Sequence, residues 1–220
     1  MFRLSFRVWT ATASAAQIEA VTRYAGRAWR AFQPGRAATA TARLDDCDGR
    51  VLGLDPGSLR TGFGIIDCRA GRERHVTSGC VDVSRHQMIT RLQRIHAEIS
   101  ALVREHRPDT IAIERVFVHR NPDSALKLGQ ARGVALCAAA QLGAQVHEYA
   151  PRAIKLAVTG YGAAAKIQVA EMVRVLLALE VRLTADASDA LAVALCHAQT
   201  RRLAVLDGAA ASAAALAATS

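Results

Sequence analysis

The chain predicts an α/β domain built on a mixed five-stranded sheet flanked by helices, and three observations carry that prediction. Two short apolar runs, Val51-Leu52-Gly53-Leu54 and Thr110-Ile111-Ala112-Ile113, have strand length, and each stops at an acid, Asp55 and Glu114. Between them a longer stretch repeats apolar residues at i+3 and i+4, the helical period. Strand and helix signals therefore alternate along one stretch of chain, as layered α/β architectures require.

Taken in order, the first strand ends where Asp55-Pro56-Gly57-Ser58 turns the chain. Gly62 to Ile66 is the second strand and His75 to Asp82 the third, near enough in sequence for an antiparallel meander. Met88, Leu92, Ile95, Ile99 and Leu102 then recur with Arg, Gln and Glu between them, which predicts an amphipathic helix packed on the sheet. The strand ending at Glu114 is followed by a polar, partly basic loop, Arg115 to Pro122, and an apolar helix over about 123–142. Gly129 and Gly133 share one face of that helix and permit close approach, either of an internal element or of a second subunit. Gln145 to Tyr149 is the last strand. Pro151 opens a helix over 152–158, Gly160-Tyr161-Gly162 interrupts the chain, and further helices over about 164–179 and 186–203 complete the domain.

The ends read differently. Residues 1–49 are rich in Arg, Ala, Ser and Thr, with Glu19 the one acid before Asp45, and they lack a strand-turn pattern that would join the core. They are expected to be an unstructured extension, either a targeting-like leader or, the favoured reading, upstream sequence included by a misplaced start. The α/β domain is expected over 50–205, with an Ala-rich tail, disordered or a frayed helix, over 206–220.

Composition narrows the function classes. No apolar run approaches the roughly 20 residues that span a bilayer, so no membrane role is expected. Five scattered cysteines without a C-x-x-C pair suit reduced thiols in a cytoplasm, and Cys196-His197 reads as packing rather than a zinc site. The net charge of +9 invites a polyanionic partner. Residues 1–50 hold 8 Arg against 4 acids, which leaves 20 Lys and Arg against 15 acids, or +5, for residues 51–220. The domain is basic without its leader.

Four acids are the candidate site. Asp55 and Glu114 end two strands, and Asp186-Ala-Ser-Asp189 opens the apolar run Ala190 to Leu195, where an i, i+3 pair points both carboxylates one way. Singly, Asp55 could be a turn residue, and Asp186 or Asp189 a helix cap. Together they need cations or protons, because two carboxylates about 4 Å apart repel by roughly 4 kcal/mol at an effective dielectric of 20. Oxygen ligands favour Mg²⁺ or Mn²⁺, and a paired-metal site suits phosphodiester hydrolysis.

Four motifs in order, Leu52-Gly-Leu-Asp-Pro-Gly-Ser58, Ile113-Glu-Arg-Val-Phe117, Ala125-Leu-Lys-Leu-Gly-Gln-Ala-Arg-Gly133 and Asp186-Ala-Ser-Asp-Ala-Leu-Ala192, resemble the RuvC family of Holliday-junction endonucleases over about residues 51–205. The resemblance implies a ribonuclease-H-like fold and a homodimer acting on four-way junction DNA. It also implies two Mg²⁺ ions, with Mn²⁺ as a substitute, and the RuvA–RuvB branch-migration complex as partner. Asp55, Glu114, Asp186 and Asp189 match the family's metal-binding acids, while Lys155 and Lys166 resemble its active-site lysines. The run before Lys166 holds only alanines where the family often has Ser and an acid. Phe117 resembles the family's base-contacting phenylalanine, a core Phe closing the strand end being the alternative. Arg115, His119, Arg120, Lys127 and Arg152 are the expected DNA contacts, Lys127 with ordinary solvation as an equal reading. An actin-like ATPase would need a second domain, and a non-catalytic junction binder would be expected to have lost acids.

Overall fold

The computed structural model describes residues 47–115 and 122–217. One sheet contains β1 (Gly49–Pro56), β2 (Arg60–Arg69), β3 (Arg72–Asp82), β4 (Thr110–Glu114) and β5 (Gln145–Tyr149), in the order β3-β2-β1-β4-β5. The first three pair antiparallel, as the meander predicts, whereas β4 lies parallel to β1 and β5 parallel to β4. Parallel neighbours need crossovers, which α1 (Met88–His106) and α2 (Pro122–Ala139) supply. Helices α3 (Pro151–Thr159), α4 (Lys166–Leu176) and α5 (Ala185–Ala217) follow β5. The strand order and mixed pairing are those of a ribonuclease-H-like fold.

Alternation along the strands divides the core in two. Leu52, Leu54, Ile65, Ile111 and Ile113 point to one face and pack with Ile95, Ile99 and Val103 of α1 and with the alanines of α2. Val51, Ile66 and Ala112 point to the other, against α3, α4 and α5. The second face is lined by small residues where α5 crosses. A Cβ at Gly53 would lie 2.1 Å from the Ala190 carbonyl oxygen, and one at Gly62 would lie 2.1 Å from that of Asp186. Helix backbone thus rests directly on strand backbone.

The elements differ from expectation mainly at their ends. Helix α1 continues to His106 and stops where Arg107 adopts a left-handed φ of 45° and bonds back to Val103. Val103, rather than Leu102, is the buried residue of its last turn. Helix α4 is shorter than expected, Lys166–Leu176, because the Gln168 side chain accepts from the Ala165 N–H at 2.8 Å and starts the helix there. Helix α5 runs beyond Leu203 to Ala217, which the high helix propensity of its alanines favours. Among the described residues nothing lies within 4 Å of where a Cβ at Gly129 or Gly133 would be, so those glycines do not serve close packing against another described element.

The starting end of β1 is tied by charge. The Arg50 guanidinium donates to both Asp67 oxygens at 2.7 and 2.9 Å and to the His106 carbonyl at 2.9 Å, joining β1, β2 and the end of α1. That guanidinium holds the Asp67 carboxyl below the usual range.

Candidate active site

The same alternation that builds the core places the acids. Asp55 follows Leu54 and Glu114 follows Ile113, so both carboxylates turn to the α5 face. Leu54 is in register with Ile113, which makes Asp55 and Glu114 neighbours at two parallel strand ends. Asp186 and Asp189 lie in the first turns of α5, and the close approach over Gly53 and Gly62 carries those turns to the strand ends. Three separate elements therefore deliver four carboxylates to one half-buried edge.

Their electrostatics record the crowding. Burial, then the charges of Asp55 and Asp189, push Glu114 up to about 7. Asp55 is also raised, by burial first and then by the Asp189 charge, with Lys166 opposing. The two side chains hydrogen-bond each other, a contact that lowers Asp55 and raises Glu114. Lys166, at the start of α4, donates from Nζ to Asp189 Oδ2 at 3.0 Å, and that bond raises the lysine above its ordinary value. Lys166 at Asp189 and Arg60, 3.9 Å from Asp186, are the cationic side chains beside the cluster.

The donor set fits a divalent ion. It is all carboxylate oxygen, and two members carry protonation equilibria raised by burial and repulsion that a cation would relieve. As the side chains stand, no group of three or more His, Cys, Asp or Glu among the described residues could cage an ion. The Asp55–Glu114 hydrogen bond and the Lys166–Asp189 ion pair engage oxygens that a metal would use. Beside the acids a cavity of about 300 Å³ is lined by Lys166, Ile167, Leu183, Ser188 and Asp189, among others. Two larger open depressions, about 630 and 640 Å³, lie elsewhere, one around Arg50 and Asp109 and one around Arg104 and Leu142. A long polyanion needs an accessible edge rather than a deep pocket, so the acids mark the better candidate.

The remaining expected residues fall in different places. Lys155 is half-buried in α3 and makes no ion pair among the described residues, so it does not join the acids as Lys166 does. Arg152 is exposed, and a Cβ at Gly162 would lie 2.9 Å from its Cγ, so its stem covers that glycine. Lys127 pairs with Asp123 one helical turn away on an exposed face. Arg115 is exposed and approaches Glu148 at 3.8 Å. Phe117, His119 and Arg120 lie outside the described residues. Cys196 and His197 are buried, and His197 Nδ1 shares a hydrogen bond with the Tyr149 hydroxyl at 2.7 Å, so they pack as expected.

Three neighbours of the site escaped the sequence reading. Arg60 lies 3.9 Å from Asp186 and 3.2 Å from Asp82, and the Cys80 thiol is pushed up to about 11 by burial and by the Asp186 carboxylate. Glu148, beside β4 on β5, receives Arg132 at 2.8 Å. The signal that could have located the helix was Gly53, Gly62 and Gly64 inside apolar strands, where glycine weakens a strand unless another backbone must approach.

Known proteins resemble this chain in sequence and in fold. A family model for the crossover junction endodeoxyribonuclease RuvC matches residues 51–197. The crossover junction endodeoxyribonuclease RuvC of Dichelobacter nodosus is 53% identical over 149 residues, 68% of this chain and 85% of that protein. The Thermus thermophilus RuvC structure superposes with a TM-score of 0.65 at 35% identity, covering 71% of this chain and 97% of the other. The T. thermophilus RuvC in complex with Holliday junction substrate superposes with a TM-score of 0.64 at 33% identity, covering 70% and 96%. Members of the family are metal-dependent nucleases. With a matching model over residues 51–197, this degree of identity and the same fold, the chain belongs to the RuvC family of crossover junction endodeoxyribonucleases.

Proposed function

We propose that this chain resolves Holliday junctions during recombination and repair, nicking two like-polarity strands symmetrically and leaving 5′-phosphate ends. The observation that carries the reading is the meeting of Asp55, Glu114, Asp186 and Asp189 at one accessible edge, with protonation of Asp55 and Glu114 favoured by burial and repulsion. Asp55, Glu114, Asp186 and Asp189 would hold two divalent ions, Mg²⁺ by preference and Mn²⁺ as a substitute. Bound there, such ions polarise the scissile phosphate, activate a water and stabilise the departing 3′-oxygen.

The chain's own groups have separable tasks. Asp55 interacts with both Glu114 and the helix acids, so it would be the central carboxylate of the set that holds the ions. Lys166 orients Asp189 and brings a mobile positive charge to where a phosphate would lie. Lys155 serves from α3 as a second, more distant lysine. Phe117 stacks on an unpaired base at the junction centre, while Arg115, His119, Arg120, Lys127 and Arg152 hold the backbone. A two-fold homodimer follows from the substrate, because two equivalent cuts need two related centres. The exposed Gly129–Gly133 face of α2 is available for that contact. The cytoplasm is the site of action and the RuvA–RuvB complex the partner; no helix among the described residues is long and apolar enough to cross a membrane. The nuclease domain is assigned to residues 50–205, although β1 begins one residue earlier at Gly49 and α5 continues to Ala217.

Asp55→Asn, Glu114→Gln, Asp186→Asn and Asp189→Asn, each assayed on a synthetic four-way junction with and without Mg²⁺, test the reading. Each variant is expected to bind the junction and fail to cut it. Cutting retained by two or more of them would overturn the site.

A further inference from the structure

Among the described residues the expected DNA contacts Arg115, Lys127 and Arg152 lie at or after the end of β4, yet the β3–α1 loop carries a dense run of positive charge of its own. Between Asp82 and Glu98 the sequence has no acid and contains Arg85, His86, Arg91, Arg94 and His96. The fold brings the first four of these, and Arg60, to the strand end that bears Asp55. Arg60 is paired in register with Asp82, and the Val83 N–H donates to the Leu59 carbonyl at 2.9 Å, closing the β3–α1 loop onto the turn after β1.

Arg91 fastens that loop. Its guanidinium donates to the carbonyls of His86 at 2.6 Å, Ser58 at 3.3 Å and Ser84 at 3.3 Å. Carbonyls orient the group without cancelling its charge. Arg85 and Arg94 are exposed, neither has an ion pair among the described residues, and Arg94 Nη1 meets the ring of His86 at 2.6 Å. The first turn of α1 adds no acid and no side-chain cap. Four arginines against Asp82 leave a strong positive excess, and Arg60, 3.9 Å from Asp186, joins this surface to the acids.

From this juxtaposition we infer that the β3–α1 loop and the start of α1 form a second DNA surface, in which Arg85 and Arg94 hold the phosphate backbone of a duplex arm leaving the cleavage site. The inference rests on the endonuclease reading and extends it. A duplex is the fitting ligand because the Arg85 and Arg94 side chains are long, exposed and without an ion pair among the described residues, and the loop has no Phe, Tyr or Trp on which single-stranded bases would stack. Arg60 then marks where the scissile strand passes from this surface to the acids.

The test is junction binding by fluorescence anisotropy over a salt series without divalent metal, using the full chain. Arg85→Gln/Arg94→Gln should bind more weakly and show a log–log salt slope shallower by about 1.8, at about 0.9 per lost phosphate contact. Arg72→Gln/Arg74→Gln removes the same charge from the far end of β3 and should leave the slope nearly unchanged. Arg85→Lys/Arg94→Lys, which keeps the charge, should restore it. Equal slopes for all variants and the unmodified chain, or equal losses in both Gln pairs, would overturn the surface. Cleavage of the junction by the unmodified chain in Mg²⁺ reports separately on the endonuclease reading.

Discussion

Against α1 and α2 the sheet presents Leu52, Leu54, Ile65, Ile111 and Ile113; where α5 crosses, the same strands present Gly53, Gly62, Gly64 and Ala112. The difference separates two tasks that packing performs. The large-residue face buries apolar surface and supplies stability, and its helices do not carry the acids. The small-residue face removes the spacing that side chains would impose. There the position of the α5 backbone, and with it Asp186 and Asp189, is set by contact with strand backbone.

If that division is right, substitutions on the two faces must fail differently. Ile111→Ala empties a fully buried site on the large-residue face and is expected to lower unfolding free energy by about 2–5 kcal/mol. Its single-turnover cleavage at a temperature where it remains folded should be unchanged, which denaturant melts and quenched cleavage assays check together. Cleavage lost in proportion to stability would break the comparison.

Gly62→Ala adds one methyl where 2.1 Å is available to the Asp186 carbonyl oxygen, so helix or strand must move. A stability loss of about 1–3 kcal/mol is expected. Cleavage should slow by about 10²-fold, because carboxylates displaced by a fraction of an ångström no longer share one site. A rate equal to the unmodified chain would show that α5 is not seated by that contact.

Beyond the acids, the α5 face also buries a titratable group, and pH sharpens the contrast. Burial, aided by the charges of His147 and Arg201, lowers His197 to about 3, whereas an unfolded histidine titrates near 6.5. Below about pH 6.5 the unfolded chain binds a proton that the folded chain refuses, so stability falls as pH drops from there toward the folded value. At pH 5 this amounts to about 2 kcal/mol at 1.36 kcal/mol per unit. Urea melts at pH 7 and pH 5 should show that loss reduced in His197→Gln. An equal loss in both proteins would remove His197 as its source. The smallest effect is expected outside both cores: Lys127→Ala loses an exposed helical ion pair and should change stability by no more than about 0.5 kcal/mol by thermal melt.

The parts of this molecule that were legible in the sequence are those governed by local periodicity. A strand that ends in a turn acid, a helix stripe from Met88 to Leu102 and an acidic pair at a helix start each occupy a few consecutive turns or residues. Arg60 and Glu148 were not legible as neighbours of the site. Each sits within an ordinary strand, and its partner lies far along the chain, Asp186 for Arg60 and Arg132 for Glu148. Lys155 and Lys166 looked alike as sequence, and only the seating of α3 and α4 on α5 separates the half-buried lysine from the one that bonds Asp189.

Sequence alone determined which residues face which side of each strand, because side-chain alternation is a property of the extended backbone and needs no partner. Composition likewise determined the basic character of the domain. The tertiary structure decided how close the two strand acids come to the two helix acids. That distance depends on the absence of side chains at Gly53 and Gly62 acting together with the parallel register of Leu54 on Ile113. Neither condition is visible from either segment taken alone, since a glycine's function in a strand depends on what lies above it.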